Sequence, residues 1–216
     1  MSCSCGAFDD TADQHFNSAK VAKEVEKYRR KGLGITTRKL RDGLVSAGVT
    51  QGTVLDVGGG LGVLSLALLD AGMSRATLVD ASSAYLAAAS QEAERSGRSA
   101  LMRFVHGDFL AVAPGLERAT VVTLDRVVCC YPSYEPLLEQ SLQRAERAFA
   151  TSYPRDRWLV RLGIWWENAM RRRKGNPFRT FVHPPSDMQR IIEGAGFRLV
   201  SRVQTMAWSA DVFAKT

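Results

Sequence analysis

A doubly wound α/β fold, with a mainly parallel sheet covered by helices on both faces, is predicted by two observations. The apolar run T53-V-L-D-V passes through a glycine-rich loop straight into the helical run V63-L-S-L-A-L-L-D-A-G. That is a strand, loop and helix in immediate succession. Further short apolar runs then alternate with helix-length segments as far as Tyr153, the rhythm that parallel crossovers impose. The 216 residues are enough for one well-filled core.

Residues 12 to 31 are expected to form an amphipathic helix, with Phe16, Ala19, Val21, Val25 and Tyr28 mostly three or four apart and a basic polar face. Gly32 and Gly34 end it. Thr36 is the expected cap of a second helix carrying Leu40, Leu44 and Val45, which Gly48 stops. These helices make an N-terminal cap, residues 1–49, forming one compact unit with a ligand-binding domain over residues 50–216.

The first strand is 53–57. A second, A76-T-L-V-D, precedes an alanine-rich helix around Tyr85 to Arg95, and a third, M102-R-F-V-H, ends at Gly107 and Asp108. Residues 119–124 make a fourth strand, Pro136 to Arg147 a helix, and Ala148 to Tyr153 a fifth strand. A helical insertion follows, R157-W-L-V-R-L-G-I-W-W-E-N-A-M-R-R-R-K, ended by Gly175 and Pro177. Ser186 opens a helix through Ala195. The stretches 197–203 and 206–213 are too close for a crossover, so they form a hairpin whose last strand is antiparallel.

No apolar stretch approaches the roughly 20 residues of a membrane span, and the beginning, MSCSCGAFDD, has no basic-then-apolar leader. A cytoplasmic protein is expected. Cys3 with Cys5 and Cys129 with Cys130 lack the spacing of a structural zinc site, so no metal is expected. The net charge of +7 is unevenly spread. Residues 20–41 hold nine Lys or Arg against two acids, residues 42–140 six against eleven, and residues 141–216 fourteen against six. An acidic centre between basic flanks suits a negatively charged partner.

The sharpest motif is D56-V-G-G-G-L-G62. Gly58, Gly60 and Gly62 between a strand and a helix let a ligand approach the main chain. The dinucleotide pattern would place its third glycine three positions after Gly60, and Asp56 would repel a pyrophosphate. A ligand with a cationic amine and a sulfonium is tolerated better. Asp80, ending the second strand, is placed to accept from both hydroxyls of an adenosine ribose, and Asp108 to accept from an adenine amino group beside Phe109.

With V54-L-D-V-G-G-G-L-G, V79-D80 and G107-D108-F109, residues 50 to 213 resemble the class I S-adenosylmethionine-dependent methyltransferases. The resemblance implies a Rossmann-like sheet of seven strands with the last reversed, and S-adenosyl-L-methionine as cofactor, held by Asp56, Gly58, Gly60, Gly62, Asp80, Ala81, Asp108 and Phe109. The acceptor then approaches the end of the fourth strand, V121-V-T-L-D-R-V-V-C-C-Y-P, where Asp125 is the first choice for a base or orienting group, close to the cofactor. Tyr131 and His183 are further catalytic candidates. A looser resemblance, to magnesium-protoporphyrin O-methyltransferases, rests on a basic N-terminal helix with a tyrosine, Tyr28, and on the insertion after the fifth strand.

That layout implies cofactor contact by Tyr28 and an acceptor held by Arg29, Arg30, Arg126, Trp158 and Trp165, the two basic flanks closing as a lid. Ordinary packing of the tryptophans and of His183 is the alternative. The predicted activity is methyl transfer to a small anionic, planar or phenolic acceptor, O-methylation being favoured. Nucleic acid is disfavoured because C-C-Y-P matches neither an amino-directed nor a pyrimidine-C5 pattern. RNA, arsenite bound by Cys129, Cys130 and an N-terminal cysteine, and a non-catalytic adenosylmethionine-binding protein remain as rivals.

Overall fold

The computed structural model describes residues 15–215 together with Thr11 and Asp13; Cys3 and Cys5 lie outside the described residues. Seven strands form one sheet in the order β3-β2-β1-β4-β5-β7-β6. They are β1 (Thr53–Val57), β2 (Arg75–Asp80), β3 (Met102–His106), β4 (Ala119–Asp125), β5 (Ala145–Pro154), β6 (Phe197–Gln204) and β7 (Trp208–Lys215). The first five run parallel, and β7 is antiparallel to both β5 and β6. The fold is the α/β methyltransferase sheet expected. Strand order reverses between β1 and β4, the point where open α/β sheets receive ligands at their carboxyl ends.

From Ser18 onward eight α-helices accompany the sheet: α1 (Ser18–Lys31), α2 (Ile35–Ser46), α3 (Val63–Asp70), α4 (Ser83–Arg95), α5 (Phe109–Val112), α6 (Tyr134–Arg144), α7 (Trp158–Arg173) and α8 (Pro185–Gly194). Strand alternation sorts the core into two layers. Val54, Val121, Ala148 and Val212 pack with Leu40 and Leu44 of α2, Leu64 and Leu68 of α3, and Ala89 of α4. Leu55, Val122, Phe149 and Phe213 face Leu137 and Leu138 of α6 and Met188 and Ile192 of α8. Asp56, Thr123 and Asp125 alternate in phase with Val54 and Val121, so they lie on the layer of α2 and α3.

Several boundaries differ from expectation. The helix expected over residues 12 to 31 is broken at Phe16 and Asn17: Thr11, Asp13 and His15 have helical backbone, and α1 begins afresh at Ser18, capped by Asn17, whose side chain accepts from Lys20 N at 3.2 Å. α2 is capped by Gly34 with no side-chain bond, and Thr36 is buried instead. α6 ends at Arg144, three residues early. There the guanidinium turns back to Ala113 O (Nε at 2.7 Å) and Ala145 already pairs with Ala119. Among the described residues no helix is long and apolar enough to cross a membrane.

Candidate active site

The carboxyl ends of β1, β2, β3 and β4 bring Asp56, Asp80, Asp108 and Asp125 to one edge. The glycine loop between β1 and α3 closes over it. Gly58, Gly60 and Gly62 all have positive φ, at 59°, 55° and 69°. A Cβ on Gly58 would lie 2.7 Å from Val127 Cγ2, and one on Gly62 2.9 Å from Leu78 Cδ1. Side chains are thus excluded by both conformation and space.

Asp56 is fully buried. Its Oδ2 accepts from Ser65 Oγ and its Oδ1 from Thr123 Oγ1, each at 2.7 Å. Burial pushes this carboxyl up to about 6 despite those two bonds. Asp56 therefore supports the loop from below, between α3 and β4. Asp80 accepts from Gly60 N and Ser82 N, each at 2.8 Å, and burial likewise raises it to about 6. Ala81 beside it is 8% exposed. Asp108 Oδ1 accepts from Leu110 N at 3.3 Å and from the Tyr131 hydroxyl at 2.6 Å, with Phe109 buried next to it.

Asp125 is clamped by two hydroxyls: Thr37 Oγ1 of α2 donates to Oδ2 and Ser152 Oγ of β5 to Oδ1, each at 2.5 Å. The next residue, Arg126, stands at φ 63°, a conformation costly for any side chain but glycine's. Its N donates to Ser152 Oγ at 2.9 Å, and its guanidinium lies 6.0 Å from the Trp208 ring centroid. The N-terminal segment lies across this edge. Ser82 Oγ donates to Phe16 O at 3.1 Å, Ser83 N to Asp13 Oδ1 at 2.8 Å, and the Tyr85 hydroxyl to Glu24 Oε2 at 2.6 Å. Tyr28 is half-buried in the same cluster, with Leu61 and Val63 of the glycine loop region. No motif marks Thr37, Ser152 or Asp13 in the sequence, since small polar residues carry none.

Four expected roles are corrected. Tyr131 is no free acid or base: its hydroxyl is spent on Asp108, and burial raises it well above the ordinary phenol range. His183 holds the loop after β4 through Nε2 and Tyr131 O at 2.9 Å, packs on Tyr134 at 4.5 Å, and is lowered by burial. Arg29 does not face the edge; Nε and Nη2 donate to Glu92 Oε1 at 2.9 and 2.5 Å, joining α1 to α4. Trp158 and Trp165 do not pack in the core, being 72% and 63% exposed. Arg30 is exposed. Cys129 is buried, its thiol raised by contact with Cys130 and by burial.

A cavity of about 330 Å3 between α6, α8 and Lys215 lies away from these carboxylates and shares no residue with them. One of about 160 Å3 beyond the ends of β5 and β6 is lined by Tyr153, Arg155, Asp156, Arg157 and Arg202, among others, and likewise shares no residue with them.

A seven-stranded sheet with only β7 reversed, a glycine loop after β1 and acids at successive strand ends together make up the architecture of the methyltransferase fold. Residues 54–151 match the family model described as "Methyltransferase domain". Magnesium protoporphyrin IX methyltransferase from Synechocystis, solved with adenosylhomocysteine bound, superposes with a TM-score of 0.71 at 20% identity, covering 97% of this chain and 100% of that one. An O-methyltransferase family 2 protein from Planctomyces limnophilus in complex with apigenin gives 0.61 at 15% identity, over 86% and 63%. An N-methyltransferase from Bradyrhizobium japonicum gives 0.58 at 17%, over 89% and 97%. No curated protein matches the sequence. The chain is therefore similar to methyltransferases over residues 54–151 and shares the fold of S-adenosylmethionine-dependent methyltransferases over nearly its whole length.

Proposed function

We propose that the acceptor is a small molecule methylated on a carboxylate or phenolic oxygen over the end of β4. The observation that carries this reading is the succession along the chain of Asp125, fixed by Thr37 and Ser152, and Arg126, held at an unfavourable φ. It offers a proton acceptor and an anion-binding group side by side, on a turn whose strain suits a functional site. The basic flanks favour an anionic acceptor. Two proteins of the same fold, a magnesium protoporphyrin IX methyltransferase and an O-methyltransferase family 2 protein in complex with apigenin, support a small-molecule acceptor.

The cofactor fits the chemistry of the edge. Asp80 and Asp108 accept hydrogen bonds, as ribose hydroxyls and an adenine amine require, with Ala81 and Phe109 as neighbours. The acids at this edge suit an amine and a sulfonium and oppose a pyrophosphate. In this reading Gly58, Gly60 and Gly62 admit the ligand to the main chain, and Tyr28 closes on it from α1. Bound S-adenosylmethionine supplies an electrophilic methyl group. The protein positions the acceptor oxygen in line with it. A carboxylate acceptor starts ionised, whereas a phenol yields its proton to Asp125.

The test is turnover of methyl-labelled S-adenosylmethionine against carboxylates, phenols, amines, arsenite and RNA, with wild type and Asp125→Asn. A preference for carboxylates or phenols is expected. The variant should lose at least about a hundredfold in kcat on phenols with cofactor affinity kept. Preferred methylation of an amine, of RNA or of arsenite overturns the proposal.

A further inference from the structure

Helix α7 buries none of its residues. It is tied to the body by Asn168, whose Nδ2 donates to Thr180 O at 2.7 Å and whose Oδ1 accepts from Thr180 N at 3.0 Å. Arg171 adds a bond to Thr180 Oγ1 at 2.7 Å and lies 5.3 Å from the Phe178 ring centroid. At about 100° per residue, Val160 and Ile164 share the side of Asn168 and Arg171, and all four are half-buried. Trp158, Leu159, Leu162, Trp165, Trp166 and Met170 fall on the opposite side, 37% to 72% exposed. The helix thus turns its apolar face outward, the reverse of a surface helix that packs on a core.

Other exposed apolar side chains gather at the same edge. Ile35, 57% exposed, opens α2, whose Thr37 reaches the end of β4. Met206, 85% exposed, tips the β6–β7 turn, where Arg155 N donates to Ala207 O at 2.8 Å. Eight of the ten large apolar side chains exposed among the described residues therefore lie at the carboxyl edge of the sheet, too many for scattered surface residues. Charge concentrates there too. Residues 155–179 carry eight Lys or Arg and two acids, and both acids are already paired, Asp156 with Arg161 and Glu167 with Arg171.

We infer that this edge docks on a lipid bilayer bearing anionic headgroups, with α7 lying in the interface. Tryptophan suits the boundary between headgroup and acyl chain, leucine and methionine the layer beneath, and the flanking arginines the headgroups. A second copy of the chain would bring two arginine clusters together. An RNA site would combine arginines with stacking aromatics on one face, whereas Leu159, Leu162 and Met170 cannot stack on bases.

The experiment is co-sedimentation of the full chain with phosphatidylcholine vesicles, with and without about 30% phosphatidylglycerol, together with tryptophan emission. Three of the four tryptophans lie on α7, so emission reports this helix. Binding to the anionic vesicles is expected, with a blue shift, quenching by brominated acyl chains and a several-fold loss between about 0.1 and 0.5 M salt. Replacing Trp158, Leu162 and Trp166 together by serine should cut the bound fraction at least about tenfold, with the melting temperature unchanged because all three are exposed. The inference is overturned if the wild type ignores both vesicles. It is equally overturned if binding survives the triple replacement, if the tryptophans prove shielded in a dimer, or if single-stranded RNA is bound and vesicles are not.

Discussion

Replacing Asp80 by asparagine separates stability from ligand binding. Its carboxylate is 8% exposed and accepts from Gly60 N and Ser82 N. Its pKa rises from 3.8 to about 6 in the fold. A raised carboxyl pKa contributes stability that is fully present below the unfolded value and lost as pH rises through the folded one. Above pH 6 the ionised group therefore costs the fold roughly 3 kcal/mol. The amide escapes that cost but leaves one of the two N–H donors without an acceptor, about 1 to 3 kcal/mol. These nearly cancel, so the melting temperature should move by less than about 5 °C.

Cofactor affinity has no such compensation. If Asp80 accepts from both ribose hydroxyls, losing the charge and one acceptor costs roughly 1.5 to 3 kcal/mol, about 10- to 150-fold in Kd. Calorimetry with adenosylhomocysteine near neutral pH measures it. Wild-type affinity should also weaken as pH falls through 6, where Asp80 takes up its proton. Asp56 titrates in the same range, so the variant's dependence should be shallower by about one proton, not absent. An unchanged Kd with an unchanged pH slope removes Asp80 from the cofactor site.

Arg29→Ala should lower stability by roughly 1 kcal/mol through the lost bond to Glu92, whose partner Arg95 remains; steady-state kinetics should show the acceptor KM unchanged. Arg126→Gly relieves the positive φ and should raise stability by about 0.5 to 1 kcal/mol in denaturant titration while raising the KM of an anionic acceptor. A variant that loses stability would show that the guanidinium, not the turn, dominates there. Cys129→Ser places a hydroxyl where a protonated, buried thiol sits; thermal melting should fall, and turnover on a non-metalloid acceptor should stay within a few-fold.

The succession of strands and helices, and the sheet edge where the acids gather, were legible because they rest on local patterns. The run T53-V-L-D-V beside three glycines marks β1 and its loop, and each acid ending a strand marks the edge. Period-two burial then puts Asp56, Thr123 and Asp125 on one layer, a step the sequence already permits. What escaped depends on contacts between distant segments. Nothing near Thr37 signals that it reaches Asp125 across 88 positions, nor that Arg29 pairs with Glu92. The insertion misled for another reason. Trp158, Leu162 and Trp165 have the spacing of a packed helix face, and periodicity shows that a face exists without showing which way it turns.

The N-terminal segment crosses the start of α4 next to Asp80, through Asp13, Phe16 and Glu24. In the proposed site, those bonds stand between solvent and a ligand resting on Asp80, and their opening is expected to accompany its exchange. Release of spent cofactor should then be slower than methyl transfer, and a rapid-quench time course should show a first turnover faster than the steady state.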